Sequence, residues 1–209
     1  LNAIVTPSYW EQATQELAEA DELLAKLIAG NRPLHMRSRG DAFTTLARSI
    51  VGQQVSLKAA ESIWARVLEK VGEMSPHDLL RHELPDLQGC GLSSRKAMYL
   101  HELSHYFIAT PYQAAEWEQL TDEEVIKRLT SIKGIGQWTA EMFLIFFMAR
   151  PNVLPVDDIG LQRAMSMHYN DGQPISKLKM REVARRWQPW HSVATWYMWR
   201  SLEPLPIQY

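Results

Sequence analysis

The chain has 209 residues and a mass of 24.1 kDa, a size for one domain or two small lobes and not for a multidomain assembly. An apolar share of 46% beside 22% charged residues excludes an intrinsically disordered chain. A single cysteine, Cys90, excludes an intrachain disulfide, a Cys-ligated zinc site and a four-cysteine iron–sulfur cluster, while a formal charge of −2 and a pI near 6.4 count, taken alone, against a nucleic-acid binder.

In chain order, the apolar residues follow helical spacing. Residues 9–29 carry Ala13, Leu17, Ala20, Leu24 and Leu27 in one stripe, which predicts a single helix ended by Asn31-Arg32-Pro33. Residues 41–51 repeat the pattern with Phe43, Leu46, Ala47 and Ile50. Ser56 can cap a helix over 57–71 whose inward side holds Ala60, Ile63, Trp64 and Val67. Ser75-Pro76 reads as a helix start, and Gly89-Cys90-Gly91 as a break before a helix over 94–108. Thr121 and Glu124 form a capping box ahead of Val125, Leu129 and Ile132. Gly134 and Gly136 interrupt that stripe, and residues 137–149 resume it with Trp138, Met142, Ile145 and Phe146 inward. After an extended stretch through Pro155, Asp157 or Asp158 can cap a helix reaching Met167, and helices over 176–187 and 191–202 complete the chain. No alternating strand pattern appears, so the expected class is all-α.

The start of the chain shows no basic segment leading into an apolar one, and the longest apolar run, residues 142–148 (MFLIFFM), is far short of the roughly 18 residues that span a bilayer. The expectation is a soluble intracellular monomer without membrane contact, and the lone thiol agrees with a reducing compartment. Seven scattered histidines offer no metal-ligand spacing, so no catalytic metal is expected.

Chemistry concentrates in Ile132-Lys133-Gly134-Ile135-Gly136-Gln137-Trp138. Two glycines one residue apart between helices allow a tight turn and leave backbone amides at the second helix's N-terminus open to a phosphate oxygen. Such donors need no net positive charge. Alone, Gly-x-Gly favours an ordinary helix–helix turn. Here Pro155-Val156-Asp157-Asp158 follows at the mouth of another helix. The spacing Leu87-x-Gly89-x-Gly91 echoes the hairpin faintly, and turn preference accounts for it equally well.

Residues 132–142 (IKGIGQWTAEM) and 154–163 (LPVDDIGLQR) resemble the helix-hairpin-helix and Gly/Pro-Asp signature of the DNA glycosylase superfamily that includes endonuclease III. Gly52-Gln53-Gln54-Val55-Ser56 and Trp187-x-Pro189-Trp190 are similar to its 3-methyladenine, AlkA-like branch. The resemblance runs from Asp41 to Arg200 and points to the compact form, without the branch's extra N-terminal domain.

That resemblance implies a two-lobed fold with the active-site cleft between lobes: residues 40–150 as a central lobe holding the hairpin 129–142, and residues 1–39 plus 151–209 as the second. It implies DNA-3-methyladenine glycosylase activity on double-stranded DNA containing alkylated bases, in the cytoplasm (nucleoid) or nucleus. Register against Arg163 selects Asp158 as the catalytic acid, with Asp157 as a helix cap or supporting group. Trp138 stands where bifunctional relatives carry a nucleophilic lysine, so the enzyme would leave an abasic site without cutting the strand. Trp138 and Trp199 would hold the base, with Tyr197 and Met142 as further pocket candidates, because N3- or N7-alkylated purines are cationic and aromatic faces attract them. Gly134, Gly136 and Lys133 would bind DNA at the hairpin. Gln54 would fill the hole left by the flipped base. The loop with Leu92, Ser94 and Arg95 would enter beside the lesion, with Leu92 as wedge because the branch's leucine falls at Ser94. His35, near Arg32, Arg37 and Arg39, would face the cleft. No cofactor is implied beyond a structural Na+ or K+ at the carbonyls of Thr130, Ile132 and Gly134. Two alternatives stay open: a non-catalytic module for damaged DNA, and a glycosylase for other lesions. Basic residues at the loop, the hairpin and residues 177–186 then matter by placement more than by total.

Overall fold

The computed structural model describes residues 6–31, 34–36 and 40–202, and every regular element among them is helical. The order is α1 (Trp10–Ala20), α2 (Glu22–Asn31), α3 (Ala42–Gly52), α4 (Leu57–Val71), α5 (Pro76–Leu79), α6 (Leu84–Gly89), α7 (Ser94–Ala109), α8 (Ala114–Trp117), α9 (Asp122–Thr130), α10 (Gln137–Phe146), α11 (Ile159–Tyr169), α12 (Lys177–Ala184), a 3-10 turn at Arg185–Trp187, and α13 (His191–Arg200).

Most helices begin on a side-chain oxygen that accepts one of the otherwise unpaired N–H groups of the first turn. Asp41 serves Thr44, Ser56 serves Ala59, Ser75 serves Asp78, Ser93 serves Lys96, and Ser176 serves Lys179. The box at Thr121 and Glu124 forms as the sequence indicates.

Two boundaries depart from the periodicity. The stripe over residues 9–29 is two helices. Asp21 adopts an extended conformation after α1, and its Oδ1 accepts from Leu23 and Leu24 N–H to start α2. A polar residue on the inward face bends the chain because it finds partners there. Helix α10 stops at Phe146, with Arg150 N–H closing on the Leu144 carbonyl and Ala149 at φ 51. The echo between the glycine pairs also dissolves: Gly89 lies inside α6, and the positive φ falls on Gly91 in one loop but on Gly134 in the other.

Two compact units emerge. One is Gly40–Phe143; the other joins Ala3–Arg39 to Leu144–Tyr209, and the boundary falls inside α10. In the first, α7 packs on α3, α5 and α6. Leu46, Ile50, Leu79, Leu87, Leu100 and Trp117 fill its core. In the second, α13 packs on α1, α2 and α11, and all its residues from His191 to Arg200 are buried. A helix enclosed on every side has no polar face, so periodicity could not orient it.

Candidate nucleic-acid interface and acid site

The hairpin lies in the first unit. Gly134 takes φ +93, and a Cβ there would stand 2.4 Å from Cγ of Tyr99, so the α7 ring closes over the turn only because residue 134 has no side chain. Gly136 has no positive φ, and nothing lies within 4 Å of its would-be Cβ. The first glycine serves packing and backbone shape. The second leaves open space at the start of α10. Lys133 is exposed and pairs with Glu102 at 3.1 Å. Trp138 is half-buried in the first turn of α10, and Met142, one turn on, is 4% exposed.

Gln53 ties this turn to the α3–α4 loop. Its Nε2 donates to the Gly134 carbonyl at 2.8 Å, while Lys96 Nζ donates to the Val51 carbonyl at 2.7 Å. Partial burial holds Lys96 below its ordinary pKa. Immediately after those anchors Gln54 is exposed and adopts φ 57, a conformation that costs a non-glycine residue and concentrates at functional sites. The Ile132 carbonyl accepts from Ile135 N–H at 3.1 Å.

The wedge assignment changes. Leu92 is 5% exposed, turned into the first unit and unavailable for insertion. Its loop is pinned from behind: Arg66 Nε donates to the Cys90 carbonyl at 2.8 Å, and Gly91, at φ +96, makes room for that guanidinium. Ser94 and Arg95 are exposed at the start of α7, with Ser94 Oγ donating to Gln88 Oε1 at 3.3 Å.

The acid pair lies in the second unit. Asp158 is 8% exposed and is itself the N-cap of α11; its Oδ1 accepts from Leu161 N–H and from Trp199 Nε1–H, each at 2.6 Å. A buried carboxylate needs such donors, since leaving it unsatisfied costs several kcal/mol. Asp157 is not the cap. It is exposed and paired with Lys177 on α12. Trp199 is 3% exposed, with its ring stacked on Phe146 at 5.8 Å and 19°. Tyr197 is 1% exposed, packed against Trp10 and Trp196, and belongs to the core. That is a correction to its pocket assignment: two residues from Trp199 on a helix, it faces another way.

Of the basic helix α12, Lys179 bonds Asn170 and Lys177 holds Asp157, while Arg181, and Arg185 in the 3-10 turn that follows, are exposed. His191 is buried with Nε2 2.9 Å from the Ala184 carbonyl, and burial lowers its pKa. His35 is half-buried; Arg32, Arg37 and Arg39 lie outside the described residues. Among the described residues no three His, Cys, Asp or Glu side chains gather as a metal site, and no helix is long and apolar enough to cross a membrane. Periodicity carried no sign of the Gln53 link, the Tyr99 ring over Gly134 or the Trp199 indole against Gly160. Each depends on residues distant in sequence.

Residues 47–189 match the HhH-GPD superfamily base excision DNA repair protein family. The chain is 31% identical to the YfjP protein of Bacillus subtilis over 77% of its own length and 59% of that protein's. It is 35% identical to the DNA-3-methyladenine glycosylase of Saccharomyces cerevisiae over 83% of its own length and 64% of that protein's. It therefore spans less than two thirds of either relative. Among solved structures, it superposes on the Schizosaccharomyces pombe 3-methyladenine DNA glycosylase in complex with abasic DNA. That match has a TM-score of 0.80 and 30% identity, covering 91% of this chain and 96% of the other.

Proposed function

The chain belongs to the HhH-GPD superfamily of base excision DNA repair proteins, and from that premise we propose that it is a monofunctional DNA-3-methyladenine glycosylase. Its substrate is double-stranded DNA carrying N3- or N7-alkylated purines, met as a monomer wherever the cell keeps its DNA. The observation that carries the reading is Asp158: a carboxylate in the family's motif, 8% exposed and held by two N–H donors.

The chemistry follows from the bond broken. The N-glycosidic electrons leave with the base, and positive charge builds on the sugar. The Asp158 carboxylate stabilises that cation and orients a water, which adds to C1′, loses a proton and leaves an abasic site. An alkylated purine is already cationic and leaves readily; the indole of Trp138 offers it an aromatic face. With Trp rather than lysine at residue 138, no amine attacks C1′ and the strand stays intact. The open amides around Gly136 receive a backbone phosphate, and Gln54 occupies the space of the flipped nucleotide. Hydrolysis needs no cofactor. A structural Na+ or K+ at the carbonyls of Thr130, Ile132 and Gly134 would share two oxygens that already accept N–H bonds.

The test is release of free bases from methylated duplex DNA by the wild type and by Asp158→Asn. The wild type should release 3-methyladenine without strand cleavage, and the variant should release almost none. Absence of release by the wild type would falsify the enzyme reading. Retained activity in the variant would remove Asp158 from the mechanism.

A further inference from the structure

The donors on Asp158 differ in kind. Leu161 N–H is the ordinary capping partner three residues along, and any Asp, Ser or Asn at a helix start would use it. The Trp199 indole comes from α13, 41 residues away in sequence, and reaches the same oxygen, Oδ1. Capping does not require it. A single donor leaves the carboxylate broad freedom about its terminal torsion, because an sp³–sp² bond has no sharp wells. A second donor from another direction fixes the carboxylate plane.

Two further features serve that contact. The indole is stacked on Phe146, which sets the direction of its N–H. Gly160 lies against the contact: a Cβ there would stand 3.1 Å from Asp158 Oδ1, 3.1 Å from Trp199 Cδ1 and 3.2 Å from Nε1. Backbone freedom is not what the position uses, since its φ is not in the left-handed region. What it uses is the missing side chain.

We propose that Trp199 is a positioning residue for Asp158 rather than a wall of the base pocket, and that Gly160 is the clearance that lets the indole reach the carboxylate. The inference rests on the glycosylase reading for its kinetic consequence, but the hydrogen bond is testable without it. A carboxylate that stabilises a sugar cation must be placed to about 0.5 Å, and misplacement by about 1 Å can cost 100-fold in rate. Trp199→Phe keeps a ring against Phe146 and removes the donor. Gly160→Ala keeps the donor and pushes both partners apart by a few tenths of an ångström. Both variants should slow single-turnover excision by about 10- to 100-fold, with affinity for a duplex bearing a tetrahydrofuran abasic-site analogue unchanged. In the Asp158→Asn background, Trp199→Phe should have no further effect on rate.

The independent readout is the indole ¹H–¹⁵N signal of Trp199, identified by its loss in Trp199→Phe. It should lie downfield in the wild type and move upfield in Asp158→Asn. Wild-type excision rates in both variants would overturn the proposal. So would weaker binding of a duplex holding an uncleaved alkylated purine with the maximal rate intact, which is the signature of a pocket wall. An indole signal indifferent to Asp158→Asn would overturn it even if the wild type proves inactive, so failure here and failure of the glycosylase reading remain distinct. Should Trp199→Phe not fold, Gly160→Ala alone decides: loss of rate with intact fold and affinity supports the proposal, and an unchanged rate defeats it.

Discussion

Gln53 Nε2 sits 2.8 Å from the carbonyl of Gly134, so the loop that presents Gln54 and the turn that would hold a phosphate are joined by one side chain. Both ends belong to the first unit. A half-buried amide bond of this kind contributes about 0.5–1.5 kcal/mol to stability, a small share of the whole. Its larger effect is geometric. Gln53→Ala should leave the melting temperature within about 5 °C of wild type. Binding to abasic-site duplex should weaken several-fold, with the excision rate at saturation unchanged. Fluorescence anisotropy beside single-turnover kinetics separates the two quantities, and a rate defect with normal affinity would count against the role.

The two hairpin glycines should fail differently. Gly134→Ala forces a Cβ to 2.4 Å from the Tyr99 ring at φ +93, and the left-handed conformation alone costs about 1–2 kcal/mol. That variant should lose stability first and DNA binding with it. Gly136→Ala meets nothing within 4 Å and no unfavourable φ. It should melt at or slightly above the wild-type temperature while losing affinity for DNA, because the methyl occupies the space a phosphate needs. Melting curves and binding isotherms on both variants decide. Equal affinity of Gly136→Ala and wild type would place the phosphate elsewhere.

How much of this was legible in the sequence depends on distance along the chain. Capping residues act within three positions, so Ser56, Ser75 and Thr121 were readable as helix starts. A helix start at Asp157 or Asp158 was readable for the same reason. Leu92 was not: an exposed loop and a buried leucine look alike until Arg66, on a different helix, is seen to pin the loop inward. Asp157 and Asp158 were not separable as caps by type, since either oxygen could serve. Geometry gives the cap to Asp158 and the Lys177 ion pair to Asp157.

That division makes Asp157 a control. Its pair with Lys177 is half-exposed, and such surface pairs contribute about 0–1 kcal/mol, reduced further by salt. Asp157→Asn should excise alkylated bases within about twofold of wild type, a difference of roughly 0.4 kcal/mol in barrier. A loss as deep as that of Asp158→Asn would mean that the pair acts together.

Acid should loosen the second unit through His191. Burial holds its pKa below the ordinary value, outweighing the carbonyls of Ala184 and Asn152 that favour the charged ring. His168 is shifted in the same direction by burial. The unfolded chain, whose histidines titrate near ~6.5, therefore binds protons that the folded chain refuses. Stability from the neutral rings is complete above about pH 6.5 and declines as pH falls through and below that value. Melting temperatures measured from pH 8 to 5 should drop across that window, and His191→Gln should flatten the drop. An unaltered slope in the variant would assign the acid sensitivity to other groups.

Asp21 should be the most sensitive polar position of the second unit. It is 5% exposed and breaks what periodicity reads as one helix. Its Oδ1 starts α2 through Leu23 and Leu24, while its Oδ2 accepts from Tyr169 Oη–H at 2.9 Å and from Trp187 Nε1–H at 3.2 Å. Arg186 stands 3.8 Å away. One carboxylate thus gathers α2, α11 and the 3-10 turn. Asp21→Ala removes a helix cap and strands buried donors, each worth about 1–3 kcal/mol when unsatisfied, so a loss of about 2–4 kcal/mol is expected. For a chain of this size that corresponds to a fall in melting temperature of roughly 4–16 °C. Asp21→Asn should lie between, since an amide keeps one acceptor but turns two N–H groups toward donors. Hydrogen exchange localises the damage: amides of α2 should exchange faster in Asp21→Ala while those of α3 and α7 hold their protection. Uniform acceleration across both units would mean that Asp21 supports global rather than local stability.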